Sequence, residues 1–316
     1  MSGGDIQRGA TNAQAVEALT RGELVILPTE TVYGLAADAS NAQAVAAIFE
    51  AKGRPRFNPL IAHVADAAQA ESVAVFDSRA RALAEAFWPG PLTIVAPVRD
   101  RAAVCDLARA GLDSVAVRVP GHARARAVIA AFGKPVVAPS ANRSGRPSPT
   151  TFDDAVEETG HAAADAVDGG PCAVGVESTV VSVLDGRISL LRPGSVTREE
   201  IEAAVGPLDQ VGEGIDEAHR SPGRLALHYA PDAPVRINAG AAREGEILLG
   251  FGPGVGDPRW SLSPTGDLRE AAANLFRRLR EADRESPAGI AVSPIPAHGL
   301  GEAINDRLKR AAGFVG

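Results

Sequence analysis

Three cations occupy five positions in the run Lys52-Gly53-Arg54-Pro55-Arg56, which continues as Phe57-Asn58-Pro59. The chain has 316 residues and a formal charge of -7, and 29 of its 32 cationic side chains are arginine. Lys52 is one of three lysines, with Lys134 and Lys309, so a lysine here is not background composition. Gly53, Pro55 and Pro59 interrupt helix and strand alike, which places the cations on a shaped loop. A rigid cationic loop on an acidic protein suits a small anion such as a nucleotide phosphate. A solvated turn between two helices is the plainer alternative.

Other stretches carry chemistry of the same kind. Pro28-Thr29-Glu30-Thr31-Val32-Tyr33-Gly34-Leu35 sets hydroxyls and a carboxylate at the end of an apolar strand, where a polar ligand could sit. A capped turn with Gly34 at positive φ would look the same. His63 lies inside the apolar Leu60–Val64, either as a satisfied core histidine or as a ligand. In Ser114-Val115-Ala116-Val117-Arg118-Val119-Pro120, period two puts Ser114 and Arg118 on one face and the valines on the other. Arg118 could then receive a carboxylate or phosphate, or reach water from an edge strand. Ala138-Pro139-Ser140-Ala141-Asn142 ends a buried strand in small polar groups, with Ser148 soon after. Ser140 lacks the Gly-x-Ser-x-Gly elbow of a hydrolase, and no P-loop motif occurs. Gly250-Phe251-Gly252-Pro253-Gly254 has glycines spaced like a dinucleotide turn, but Pro253 supplies no N–H and no helix follows at once.

These groups need elements to hold them. The pattern predicts a helix over 11–21, a strand over 24–28 and a helix capped by Asn41 through Phe49. Strands are expected at 60–64, 92–97, 114–119, 135–138 and 179–184, with helical stretches between most of them. Asp185-Gly186 predicts a type I′ hairpin. Counting outward from it pairs Thr179 with Arg192 and brings Ser178 beside that cation. A short helix follows from Thr197 to Val205, then a linker over Pro207–Pro231. A second unit reads as a strand at 246–250, a helix at 267–283, a strand at 290–292 and a helix at 301–312. Alternating strands and helices imply α/β layers.

Composition narrows the classes. An apolar content of 45% allows a sizeable core, and the length suggests two domains. The acidic balance argues against a broad nucleic-acid or anionic-membrane footprint. Cys105 and Cys172 make neither a metal-ligand pattern nor a disulfide framework, and each reads as a small buried apolar residue. The N-terminus lacks the features of a signal peptide, and no apolar run approaches the ~20 residues of a spanning helix. A soluble cytoplasmic protein is expected.

Taken together the motifs resemble the threonylcarbamoyl-AMP synthase family, the YrdC-type enzymes, in its long two-domain form. They are PTETVYGL at 28–35, KGRP at 52–55, WPGPLT at 88–93, SVAVRVP at 114–120, APSAN at 138–142, ESTVV at 177–181, LRPG at 191–194 and HYAP at 228–231. The likeness continues through AANLFRRLREAD and GLGEAINDRL in the tail. It implies an N-terminal YrdC-like open twisted α/β sheet domain over 9–200, a linker or lid over 201–233, and a smaller C-terminal Rossmann-like α/β domain over 234–316.

The resemblance also implies an activity: a nucleotidyltransferase that condenses L-threonine, bicarbonate or CO2, and ATP to L-threonylcarbamoyl-AMP and pyrophosphate. The product would pass to a separate tRNA threonylcarbamoyl transferase. Threonine contacts are implied at Thr31, His63, Arg118, Ala138 and Ser178. Nucleotide contacts are implied at Arg54, Asn58, Ser114, Ser140, Ser148, Arg192 and Tyr229, with Lys52 and Asn142 near the phosphates. The family's KxR…SxN signature falls on Lys52, Arg54, Ser140 and Asn142, expected to be the catalytic group. Mg2+ would bind mainly through ATP phosphates, with no protein metal site. The family's linker usually carries a further basic residue before HYAP, and Arg224 stands nearest that position here. A weak tRNA contact is implied, and no membrane. Two other classes stay open: a non-catalytic RNA-binding module, and a carbamoyltransferase.

Overall fold

Leu24-Val25-Ile26-Leu27 has no polar face, and all four residues are buried. The strand contributes alternately to two cores: Leu24 and Ile26 to one, Val25 and Leu27 to the other. That is how a central strand covered on both sides should divide its side chains. The computed structural model describes residues 7–209 and 228–313.

The first unit is a mixed ten-stranded sheet. Its strands are β1 (Gln7–Arg8), β2 (Leu24–Leu27), β3 (Gly34–Asp38), β4 (Ile61–His63), β5 (Leu92–Pro97), β6 (Ser114–Arg118), β7 (Val136–Val137), β8 (Ala163–Ala166), β9 (Thr179–Ser182) and β10 (Ser189–Arg192). The spatial order is β1-β8-β2-β3-β7-β4-β6-β5-β9-β10. Helices Asn12–Thr20 and Ala123–Phe132 cover one face through Leu19, Val128 and Ile129. Helices Ala42–Lys52 and Ser78–Phe87 bury Ile48, Phe49 and Leu83 against the other. Thr11 caps the first helix in a capping box, and the Asn41 side chain accepts from the Gln43 and Ala44 amides.

The second unit is a four-stranded parallel sheet of β11 (Val235–Arg236), β12 (Glu246–Phe251), β13 (Ser261–Ser263) and β14 (Gly289–Val292), ordered β11-β14-β12-β13. Helices Leu268–Arg284 and Leu300–Ala311 pack on it through Leu275, Phe276, Leu279, Ile304 and Leu308. The α/β expectation holds for both units, and the parallel second sheet fits the Rossmann-like reading.

Several local expectations are corrected. Lys52 is not on the loop but is the last residue of helix Ala42–Lys52, which stops where Gly53 turns left-handed at φ 58°. Gly34 does not close a turn at positive φ; it opens β3, which pairs antiparallel with β2. β8 was not expected: Ala163-Ala164-Asp165-Ala166 has little strand propensity, and its place between β1 and β2 decides it. The Asp185-Gly186 hairpin forms with both residues at positive φ, but the register shifts between Leu190 and Arg192. Arg192 therefore faces Val180 rather than Thr179. Most of the expected linker, residues 210–227 with Arg224, lies outside the described residues.

Candidate active site

β6 places the first part of the site. Val115, Val117 and Val119 enter the helix-covered core, so Ser114, Ala116 and Arg118 share the opposite face. There Ala116 joins Ile61, Val95, Val180 and Leu191 in a small apolar floor. Arg118 is 3% exposed and sits beside His63 in the parallel β4–β6 register. Its Nε donates to the Gly90 carbonyl at 3.2 Å, Nη1 to Thr31 Oγ1 at 3.0 Å and Nη2 to Glu30 Oε1 at 2.6 Å. Thr29 and Thr31 hydroxyls lie 2.8 Å apart. Glu30 keeps its carboxyl below the ordinary range: burial works against the charge, but Arg118 and backbone N–H groups outweigh it. Its Oε2 is buried without a partner.

His63 is neutral. Burial, reinforced by the Arg118 cation, pushes its pKa down to about 3. Nδ1 lies 3.1 Å from the Ile61 carbonyl, which can only accept, so Nδ1 carries the proton and Nε2 is left as an acceptor.

The hairpin supplies the second part. Arg192 donates from Nε and Nη2 to the Ser178 carbonyl at 3.2 and 2.8 Å, and from Nη2 to Ser178 Oγ at 3.2 Å. Ser178 Oγ also lies 2.8 Å from Thr93 Oγ1. The backbone packs tightly at Gly194, where a Cβ would meet the Thr179 amide nitrogen at 2.4 Å.

The third part joins helix end and loop. Lys52 Nζ, 3% exposed, donates to the Ser140 and Asn142 carbonyls, tying the helix to the Ser-Ala-Asn turn. Burial, and then the Arg54 charge, lowers its pKa well below the usual lysine value. Arg54 Nη2 donates to the Asn58 and Pro59 carbonyls at 3.4 and 3.2 Å, while its Nε is buried without a partner. Burial brings Arg54 down to about 10. Asn142 donates to the Arg143 and Arg146 carbonyls, both at 2.8 Å, and its Oδ1 has no partner.

These parts meet in one cleft. Of the residues expected there, Thr31, Arg54, His63, Arg118, Ala138, Ser140, Ser178, Arg192 and Tyr229 line it. Lys52, Asn58 and Asn142 do not line it: Lys52 links the Ser140 and Asn142 carbonyls, and the Asn58 carbonyl accepts from Arg54. Ser148 is fully buried and donates to Glu177 Oε1 at 2.5 Å. Ser114 does not reach the cleft; it stands at the far end of β6 in a surface depression with Pro97, Leu112 and Leu184. Glu177 and His228 line the cleft although sequence reasoning gave them no role. Their places inside ESTVV and HYAP were the available signal. The cavity is about 50 Å3, room for a few waters. His228 and Tyr229 line one part of it, Tyr229 being 1% exposed, at φ 63° and tilted by 34° against the Phe276 ring at 5.3 Å.

The arrangement offers fixed cations, hydroxyls and a neutral imidazole. Cys172 is no nucleophile, its thiol being pushed up to about 12 by burial. Among the described residues no group of three or more His, Cys, Asp or Glu side chains could hold a metal. Nor is any helix there long and apolar enough to cross a membrane.

Comparison with known proteins places this architecture. A family model described as "Telomere recombination", covering Sua5, YciO and YrdC, matches residues 17–194. A second, "Threonylcarbamoyl-AMP synthase, C-terminal domain", matches residues 196–313. The threonylcarbamoyl-AMP synthase of Bacillus subtilis is 41% identical over 95% of this chain and 92% of its own length. That of Pyrococcus abyssi is 39% identical over 94% and 92%. The crystal structure of P. abyssi Sua5 complexed with L-threonine superposes with a TM-score of 0.86 at 37% identity, covering 98% of this chain and 97% of that one. Both family models, the near full-length identity and the shared two-unit fold agree: this chain belongs to the threonylcarbamoyl-AMP synthase family.

Proposed function

We propose that the protein condenses L-threonine, bicarbonate or CO2, and ATP to L-threonylcarbamoyl-AMP, releasing pyrophosphate. One observation carries the reading. A single cleft gathers Arg54, Arg118 and Arg192 with the hydroxyls of Thr31, Ser140 and Ser178 around a neutral histidine. Adenylation of a carbamate needs that inventory. Threonine's neutral amine captures CO2, a carbamate oxygen attacks the α-phosphorus in line, and pyrophosphate leaves. Positioning and charge neutralisation suffice, with no protein nucleophile.

Threonine is assigned to Thr31, His63, Arg118, Ala138 and Ser178. Arg118 would face its carboxylate, and the His63 Nε2 lone pair would accept from its hydroxyl. The nucleotide is assigned to Arg54, Asn58, Ser114, Ser140, Ser148, Arg192 and Tyr229, with Lys52 and Asn142 holding the turn beside the phosphates. Ser114, at the far end of β6, would touch only the end of the nucleotide most remote from the carbamate. Mg2+ would enter on the phosphates and neutralise their charge. Glu30 and Glu177 are held through Arg118 and through Ser148 with Arg307, so the ion would rely mainly on the phosphates.

The units are taken as 9–200 and 234–316, with 201–233 as a lid. His228 and Tyr229 line the cleft from this segment, so a bound nucleotide would lie against them. The product would go to a tRNA-modifying transferase in the cytoplasm, with at most a weak direct tRNA contact.

The test is pyrophosphate release from ATP with threonine and bicarbonate each omitted in turn; both omissions should abolish it. Valine should fail, whereas serine, short of one methyl contact worth ~1 kcal/mol, should be turned over more weakly. Equal turnover with valine overturns the threonine assignment. Salt-dependent tRNA binding without ATP consumption would point to an RNA-binding module instead.

A further inference from the structure

Arg307 belongs to helix Leu300–Ala311 of the second unit, yet its side chain is fully buried against the first. Nε donates to Glu177 Oε2 at 3.0 Å. Nη1 donates to the Pro193 carbonyl and, at 3.0 Å, to Asp306 Oδ2. The guanidinium carbon lies 5.6 Å from the centre of the Tyr229 ring. The second oxygen of Glu177 accepts the Ser148 hydroxyl at 2.5 Å. Pro193 directly follows Arg192, and Ser178 directly follows Glu177. One side chain of the second unit thus touches the immediate supports of Arg192, Ser178 and Ser148, and Tyr229 itself. Nε and Nη1 reach these acceptors from one rigid plane, which a lysine ammonium cannot do, while Nη2 is buried without a hydrogen-bond partner.

We propose that Arg307 is a positioning residue, through which the C-terminal unit sets the nucleotide half of the cleft. It touches no reacting atom. It fixes Glu177, and through it Ser148, holds the turn after Arg192, and provides the cationic seat for the Tyr229 ring. The inference rests on the synthase reading and adds to it a role for the second unit.

The experiment compares full-length wild type with Arg307→Met, Arg307→Lys and Arg284→Met. Arg284 bridges the units through Asp154 and Glu157, away from the cleft, and serves as the control. ATP binding is titrated by calorimetry, and KM and kcat are measured at a temperature where every variant is folded. Arg307→Met should lose about tenfold or more in ATP affinity, with a matching rise in KM for ATP and a smaller change for threonine. Arg307→Lys should recover part of the loss, and Arg284→Met should keep wild-type constants. Unchanged ATP affinity and KM in folded Arg307→Met overturn the proposal. So does an equal loss in Arg284→Met, which would make general weakening of the interface the cause. Should Arg307→Met fail to fold, adding Glu177→Gln removes the stranded carboxylate and the same criteria apply. A wild type that binds ATP but releases no pyrophosphate sinks the synthase reading, while the ATP-affinity comparison still decides the role of Arg307.

Discussion

Arg118 and Glu30 form a nearly dry ion pair, with side chains 4% and 15% exposed. Removing the cation has two consequences that can be measured separately. Arg118→Ala should weaken threonine about ten- to hundred-fold while leaving ATP little changed, and Arg54→Ala should do the reverse. It should also strand the Glu30 carboxylate, lowering stability by about 3–5 kcal/mol. Adding Glu30→Gln should return part of that stability but none of the threonine affinity. Calorimetric titration and urea denaturation read the two effects, and equal loss of both ligands in either folded variant would refute the division of the site. His63 adds a pH dependence. Its folded pKa of about 3 lies below the ordinary value near 6.5, so between these values the unfolded chain binds the extra proton. Stability should therefore fall as pH drops from about 6.5 towards 3, by up to about 1.4 kcal/mol per unit, with no contribution above that window. His63→Asn should show a shallower slope in urea midpoints across this range. His228, also held neutral by burial and surrounding cations, keeps some slope in place.

At the scale of elements, the segment carrying Tyr229 works against its own geometry. A tyrosine at φ 63° is strained, and it is held there by burial against Phe276 and Arg307. A strained, buried anchor suits a segment that opens for substrate and closes over a mixed anhydride that water would destroy. Tyr229→Ala should raise the ATP consumed per adenylate recovered, and should cost about 3–5 kcal/mol in stability if the vacated space stays empty. Full synthesis without added ATP breakdown would leave the segment a passive tether. The helix Ala42–Lys52 shows the opposite economy. Its final residue brings a buried Nζ to two carbonyls of the Ser-Ala-Asn turn, so secondary structure itself carries the positioning.

At the scale of the molecule, the units are joined by ion pairs of unequal burial. Arg280 and Glu158 are 5% and 3% exposed, whereas Arg198 and Glu302 are 42% and 33% exposed. The physics of desolvation separates them. Arg280→Met takes one buried partner from Glu158, with Arg143 and Arg146 remaining at 3.4 and 3.7 Å, and should cost about 1–3 kcal/mol. Arg198→Met should cost less than about 1 kcal/mol, because water screens that pair already. Thermal denaturation of the two variants checks the ranking, and similar losses would mean that the interface is wetter than its geometry. Val32 and Val176, from the first unit, join the second unit's apolar cluster, so the contact is partly hydrophobic as well.

What sequence alone determined here is local or strictly periodic. Period two told which face of β6 carries Arg118, Asn41 announced its helix, and Asp185-Gly186 announced its hairpin, since each signal acts over a few residues of backbone. Ordered motifs identified the family and most cleft-lining residues. Tertiary structure decided the rest. The bulge before Arg192 shifts its partner by one residue, and no turn residue encodes that. β8 forms by pairing parallel with β1 and β2, whatever the propensity of Ala163–Ala166. Glu30 as partner of Arg118, and Arg307 as partner of Glu177, bring together residues 88 and 130 positions apart. Such pairings are chosen by which charges fall within a low-dielectric interior once the chain has folded, and a linear pattern cannot specify them.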